Sequence, residues 1–182
     1  MLLRPLAGLF LILASCSSGQ SETPKPKAAL PLTGRVVDAA DILDAETEKH
    51  ISAKLASAET QYGPQMVVVT TPSVDGRRIE DYSYDLGNAW RVGNAKRDDG
   101  LMLVIAPTER KVRIEVGYGL EASFSDAFSK KILDETILPR FSAGDLQAGI
   151  VAGVDRMIEK IKAVPTLPVN DNAMPNAKED AA

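Results

Sequence analysis

Two short runs, residues 66–71 and 101–106, constrain the fold of this chain more than any other feature. Both are apolar or β-branched at nearly every position. A strand with one wet face alternates polar and apolar residues, whereas a run without alternation has both faces covered. Between them Ile79, Tyr82, Leu86, Ala89 and Trp90 recur at helical spacing, closed by Gly93. Strand, helix, strand implies a parallel pair joined by a right-handed crossover. Residues 111–117 then alternate, with Lys111, Arg113 and Glu115 on one face and Val112, Ile114 and Val116 on the other. The four residues 107–110 are a hairpin-length connection, so the sheet is mixed. Upstream, Asp44 is a good N-cap for a helix carrying Ile51, Leu55, Ala58 and Tyr62, stopped by Gly63 and Pro64. Two further helices follow. The first carries Phe128, Ile132, Leu133 and Ile137, the second Leu146, Ile150, Val154, Met157, Ile158 and Ile161. Gly149 and Gly153 lie four apart on the second and allow close approach of a neighbour. Covering the buried strands on both faces predicts a three-layer α/β/α sandwich with a central mixed β-sheet.

The N-terminus reads as an address. Arg4 precedes an apolar run from Leu6 to Ala14, well short of the roughly 20 residues that span a bilayer. A run of this length ending in small residues is a secretory signal. Leu13, Ala14, Ser15 and Cys16 resemble a bacterial lipobox, in which the cysteine is acylated and becomes the first mature residue. The expected organisation is a lipoprotein signal peptide over residues 1–15 and a lipidated Cys16 with a flexible stalk to residue 32. A folded domain follows over 33–162 and a disordered tail over 163–182. The protein would then be held on a lipid bilayer with its domain in the periplasm. Ser17 in place of an aspartate favours the outer membrane.

Composition removes several classes of function. A net charge of -4 and an aromatic content of 5% offer no nucleic-acid surface. One cysteine excludes an intrachain disulfide, and one histidine excludes a zinc site built from several His and Cys ligands. His50 reads as a surface residue. There is no nucleophile elbow, Walker loop or dinucleotide fingerprint, and no residue stands out as catalytic.

The hairpin places chemistry at one sheet edge. If the turn is centred between Thr108 and Glu109, Leu103 opposes Ile114 and Leu101 opposes Val116. Residues 96–100 and 117–121 then become adjacent loops, gathering Asp98, Asp99 and Glu121. Clustered carboxylates repel one another unless a cation or protons neutralise them. Oxygen ligands on irregular loops suit Ca²⁺ better than Mg²⁺. The competing reading is a solvated turn screened by Lys96 and Arg97.

Several segments carry a family resemblance: LTGRVVD (32–38), WRVG (90–93), RDDG (97–100), RKVRIEVGYGLE (110–121), ILPRF (137–141) and Gly144 with Asp145. Together they resemble the TPM domain over residues 32 to about 162. The resemblance implies the same sandwich and an extracytoplasmic, membrane-associated place. Relatives often reach the membrane through a terminal transmembrane helix, which the lipid anchor would replace here. Members include a thylakoid lumen protein of photosystem II repair with claimed acid phosphatase activity, and others that bind calcium without clear enzyme activity. By this resemblance the metal-bearing residues correspond to Asp98 and Asp99, with Asp38 and Glu121 joining them. The expected function is a non-catalytic, Ca²⁺-binding module that assists maintenance or assembly of a membrane-protein complex. The alternative is a metal-assisted phosphomonoesterase in which Arg97 and Arg113 clamp the phosphate.

Overall fold

In the computed structural model of the chain, residues 30–164 are described. The expected signal segment, Cys16, most of the expected stalk and nearly all of the expected tail lie outside them. The chain runs β1 (Val36–Asp38), α1 (Ala45–Tyr62), β2 (Met66–Thr70), α2 (Ile79–Trp90), β3 (Leu101–Ala106) and β4 (Lys111–Val116). A 3₁₀ turn (Tyr118–Leu120), α3 (Asp126–Ile132), a π turn (Leu133–Ile137), α4 (Leu138–Ser142) and α5 (Leu146–Lys162) complete it.

The strands form one sheet in the order β1-β2-β3-β4. The first three are parallel and β4 is antiparallel to β3, with Leu103 opposite Ile114 and Leu101 opposite Val116 as the hairpin predicts. All residues of β2 and β3 are buried. Their side chains alternate between two cores. Met66, Val68, Leu101, Leu103 and Ile105 pack with Ile51 and Leu55 of α1 and Ile150 and Val154 of α5. Val67, Val69, Met102 and Val104 pack with Ile79 and Leu86 of α2. Two helical layers therefore flank a mixed sheet, and each buried Leu or Ile contributes about 1.5–3 kcal/mol.

Strand order and helix placement together fix the hand of the crossovers. The chain steps from β1 to β2 to β3 in one direction, yet α1 and α2 lie on opposite faces. The two crossovers must then have opposite hand, so the right-handed rule holds for only one of them.

Local chemistry explains the helix ends. The Asp44 carboxylate accepts the Thr47 N–H at 2.7 Å, which holds its pKa below the ordinary value. Gly63 closes α1 at φ 101, its N–H donating to the Glu59 carbonyl. Helix α2 ends differently from the sequence reading: Arg91, at φ 53, is its left-handed cap. Gly93 has another task, described below. The first late helix is also interrupted. Pro139 has no N–H to return to the preceding turn, and the turn before it widens so that the Leu138 N–H donates to Leu133 instead. On α5 the Phe141 ring lies over Gly149 and the Ile137 side chain over Gly153, where a Cβ would come within 2.6 Å of either.

The folded body begins before Thr33. The Trp90 indole N–H donates to the Leu30 carbonyl at 2.7 Å, and Leu30 packs against the α2-side core. The end of the stalk is therefore docked on the domain.

Candidate functional site

The loops before β3 and after β4 interlock through backbone. The β3–β4 ladder continues one step beyond the strands, with the Gly117 N–H donating to the Gly100 carbonyl at 2.8 Å. The Gly119 N–H then donates to the Asp98 carbonyl at 2.9 Å. A Cβ on Gly117 would collide with the Asp98 carbonyl, and one on Gly119 with the Arg97 carbonyl. Gly93 and Gly100 press together in the same way. Four glycines thus let three backbone segments touch.

Asn94 organises the acidic loop. Its side-chain carbonyl accepts the N–H groups of Lys96 and Arg97 at 3.0 and 3.2 Å, forming an Asx turn. Asp98 follows in the left-handed region at φ 48. Asp99 turns inward and is 0% exposed. One of its oxygens accepts the Asn94 N–H at 2.7 Å, and the other takes the Arg97 guanidinium Nε–H at 2.6 Å. Its charge is spent on holding its own loop.

Asp98 stays at the surface, where its carboxylate accepts the Tyr118 N–H at 3.3 Å. Tyr118 is 71% exposed. Its phenol pKa is raised by neighbouring Tyr84, then by burial, Glu121 and Asp98. Asp98 meets Tyr118 through the backbone, and Glu121 follows three residues along the chain, so both carboxylates act on the same phenol.

Asp38 lies elsewhere. It ends β1, level with Thr70 and Ile105, whereas Asp98 and Asp99 precede Leu101 at the start of β3. Because β1 and β3 are parallel, these positions occupy opposite ends of the sheet. The Asp38 carboxylate accepts the Thr70 hydroxyl and, at 2.8 Å, the Leu43 N–H, pinning the loop that leads into α1. The four carboxylates do not form one coordination shell. Among the described residues, no three His, Cys, Asp or Glu side chains are grouped to hold a metal.

The two arginines offered as a phosphate clamp are engaged as well. Arg97 pairs with Asp99, and Arg113 pairs with Glu115 at 2.7 Å on the α2 face. There the Ser83 hydroxyl also donates to Glu115 at 2.7 Å. His50 is exposed on α1, as expected. The sequence reading missed Asn94, although an Asn before a charged turn is an Asx-turn signal. It also missed Tyr84, for which no local signal exists because α2 and the 3₁₀ turn meet only in three dimensions.

One cleft adjoins this region. Its volume is about 230 Å³, and it runs between residues 113–116 of β4 and Glu121, Phe124, Ser125 and Asp126. No helix among the described residues is long and apolar enough to cross a membrane.

The chain resembles solved bacterial structures. The N-terminal domain of a protein from P. gingivalis is 31% identical, with a TM-score of 0.67 over 72% of this chain and 83% of that one. The BA42 protein of the psychrophilic bacterium Bizionia argentinensis is 20% identical, with a TM-score of 0.59 over 75% and 91%. The N-terminal domain of the cg2496 protein of Corynebacterium glutamicum is 17% identical, with a TM-score of 0.58 over 86% and 90%. The last two likenesses are of fold alone. No curated protein is significantly similar to the chain. The TPM domain family model matches residues 36–160, the span of the sheet and nearly all of its helices, and the chain belongs to the TPM domain family.

Proposed function

We propose that this TPM chain is a non-catalytic binding module, anchored in the bacterial envelope through lipidated Cys16 and serving a membrane-protein complex from the periplasmic side. One observation carries the reading. The two arginines that would clamp a phosphate are already paired inside the protein, Arg97 with Asp99 and Arg113 with Glu115, which the Ser83 hydroxyl also holds. Asp38 is likewise bound to Thr70 and Leu43. A phosphomonoesterase needs cations free to clamp phosphate oxygens.

The anchor is tested by replacing Cys16 with Ser. The parent should sediment with membranes and Cys16→Ser should appear in the soluble fraction. Equal membrane retention of the two would remove the lipid anchor from the proposal, and density-gradient separation of the two membranes assigns the parent to one of them.

A divalent cation fits this reading only as a weak ligand. Asp98 and Glu121 are the two predicted carboxylates that flank Tyr118, so backbone carbonyls and water would supply the remaining oxygens of a Ca²⁺ shell. Extracellular calcium modules work near ~10⁻⁴ to 10⁻³ M, which such a site would suit. Ligand at ten times its Kd stabilises by about 1.4 kcal/mol, enough to raise Tm by a few degrees. Asp98→Asn is the informative variant, because asparagine tolerates the left-handed backbone that Asp98 adopts. Millimolar Ca²⁺ should raise the Tm of the parent and leave that of Asp98→Asn unchanged. No calcium-dependent shift in the parent, and no calorimetric heat, would leave a binding module without calcium.

A further inference from the structure

β4 is the last strand of the sheet among the described residues, and its outer edge carries backbone groups that the sheet does not use. Gly100 and Gly117 are directly opposed and joined by a ladder bond. In an antiparallel ladder, bonded and non-bonded pairs alternate. By the observed register, Lys111, Arg113 and Glu115 direct their backbone groups toward Ala106, Val104 and Met102 of β3. The N–H and C=O groups of Val112, Ile114 and Val116 therefore point away from the sheet. β4 stands last in the strand order, so no strand among the described residues receives them. The cleft between residues 113–116 and Phe124, Ser125 and Asp126 opens along this same edge.

Open edges are usually protected by charge, which repels an incoming strand. The charges of β4 have a different property: they complement themselves. We propose that two copies pair β4 against β4, antiparallel, about a two-fold axis at Ile114, joining their two sheets into one. In that register Ile114 faces Ile114 of the second copy, and Val112 faces Val116. All three outward residues then exchange both backbone hydrogen bonds with their opposites. On the other face Arg113 stands opposite Glu115 of the second copy, and Glu115 opposite its Arg113. Sliding the strands by two residues either way sets Arg113 against Arg113 or Glu115 against Glu115. Like charges directly opposite are destabilising, so a single register is selected. The interface is isologous, as closed two-fold dimers require. It uses none of the residues assigned to the calcium site or the lipid anchor, so it stands or falls independently of the proposed function.

The test is a charge swap followed by mixing. The full chain carrying Cys16→Ser is used, so that micelles do not bring copies together, and association is followed by sedimentation equilibrium. The parent should dimerise reversibly. Arg113→Glu and Glu115→Arg should each dimerise at least about tenfold more weakly, because each puts like charges opposite one another twice. An equimolar mixture of the two should associate again, since the acidic edge of one then faces the basic edge of the other. Both variants lose the internal Arg113–Glu115 pair, so a merely structural role for that pair predicts no recovery on mixing. Circular dichroism checks that each variant is folded. If either is not, the double reversal Arg113→Glu with Glu115→Arg decides: dimerisation like that of the parent supports the proposal, and a monomer overturns it. A parent that stays monomeric over a wide concentration range, single variants that dimerise as the parent does, or a mixture that does not recover, each overturns it.

Discussion

Replacing Asp99 by alanine should cost about 3 kcal/mol of folding free energy, at the lower end of the range for breaking a buried ion pair. The carboxylate is fully buried and accepts the Arg97 guanidinium at 2.6 Å and the Asn94 N–H at 2.7 Å. Removing it strands a guanidinium that is only 24% exposed and takes away the acceptor that the Asn94 N–H uses. The lower end applies because Arg97 keeps part of its water. Asp99→Asn preserves the shape and one acceptor, so its loss should be smaller. Urea denaturation with an unchanged m-value would measure both. Added Ca²⁺ should restore neither variant, because Asp99 acts by holding the turn from Asn94 to Gly100. A loss under about 1 kcal/mol for Asp99→Ala would show that the pair holds little, and would return Asp99 to the candidate ligands.

Much of the sheet was legible because strand burial writes itself into sequence. The two uninterrupted apolar runs are the two strands covered on both faces, and the alternating run is the strand at the edge. The hairpin length set the register, and the register brought the Asp98 loop against Tyr118 and Gly119. The position of Asp38 was not legible, because the three-residue β1 that it ends is too short to show a strand pattern. Asp98 and Asp99 precede a strand parallel to it, so they lie at the opposite end of the sheet. The resemblance to a metal-bearing family gathered them into one ligand set, and topology separates them. Other features carry no local signal. Two adjacent aspartates look alike in sequence, yet a left-handed Asp98 turns one outward and leaves the other buried beside Arg97. The opposite hands of the two crossovers depend on which face each helix takes. Leu30 sits among prolines and lysines that read as stalk, and only the indole of Trp90, sixty residues away, shows that it is docked.

Gly119→Ala should destabilise the domain by about 3 kcal/mol, the upper end of the usual cost of overpacking. The added Cβ would overlap the Arg97 carbonyl and lie 3.0 Å from the Asp98 oxygen. Both obstacles are backbone, and both belong to a loop already pinned by Asn94 and Asp99, so neither can rotate aside. Gly149→Ala is the control. Its Cβ would meet the Phe141 ring at 2.6 Å, but that ring is only partly buried and can swing on its own torsions. In the middle of α5 alanine also gains up to about 1 kcal/mol over glycine in helix propensity, which offsets part of the clash. Chemical denaturation should therefore rank Gly119→Ala well below Gly149→Ala, although both clashes look severe on paper. Hydrogen exchange adds a second reading. The Gly119 amide donates to the Asp98 carbonyl, so its protection reports on the contact between the two loops. Forcing the loops apart should speed exchange at residues 117–121 while β2 and β3 stay protected. If Gly119→Ala costs less than about 1 kcal/mol and exchange there is unchanged, the loops have room to part, and the glycines of the GYG motif are not what holds Tyr118 beside Asp98.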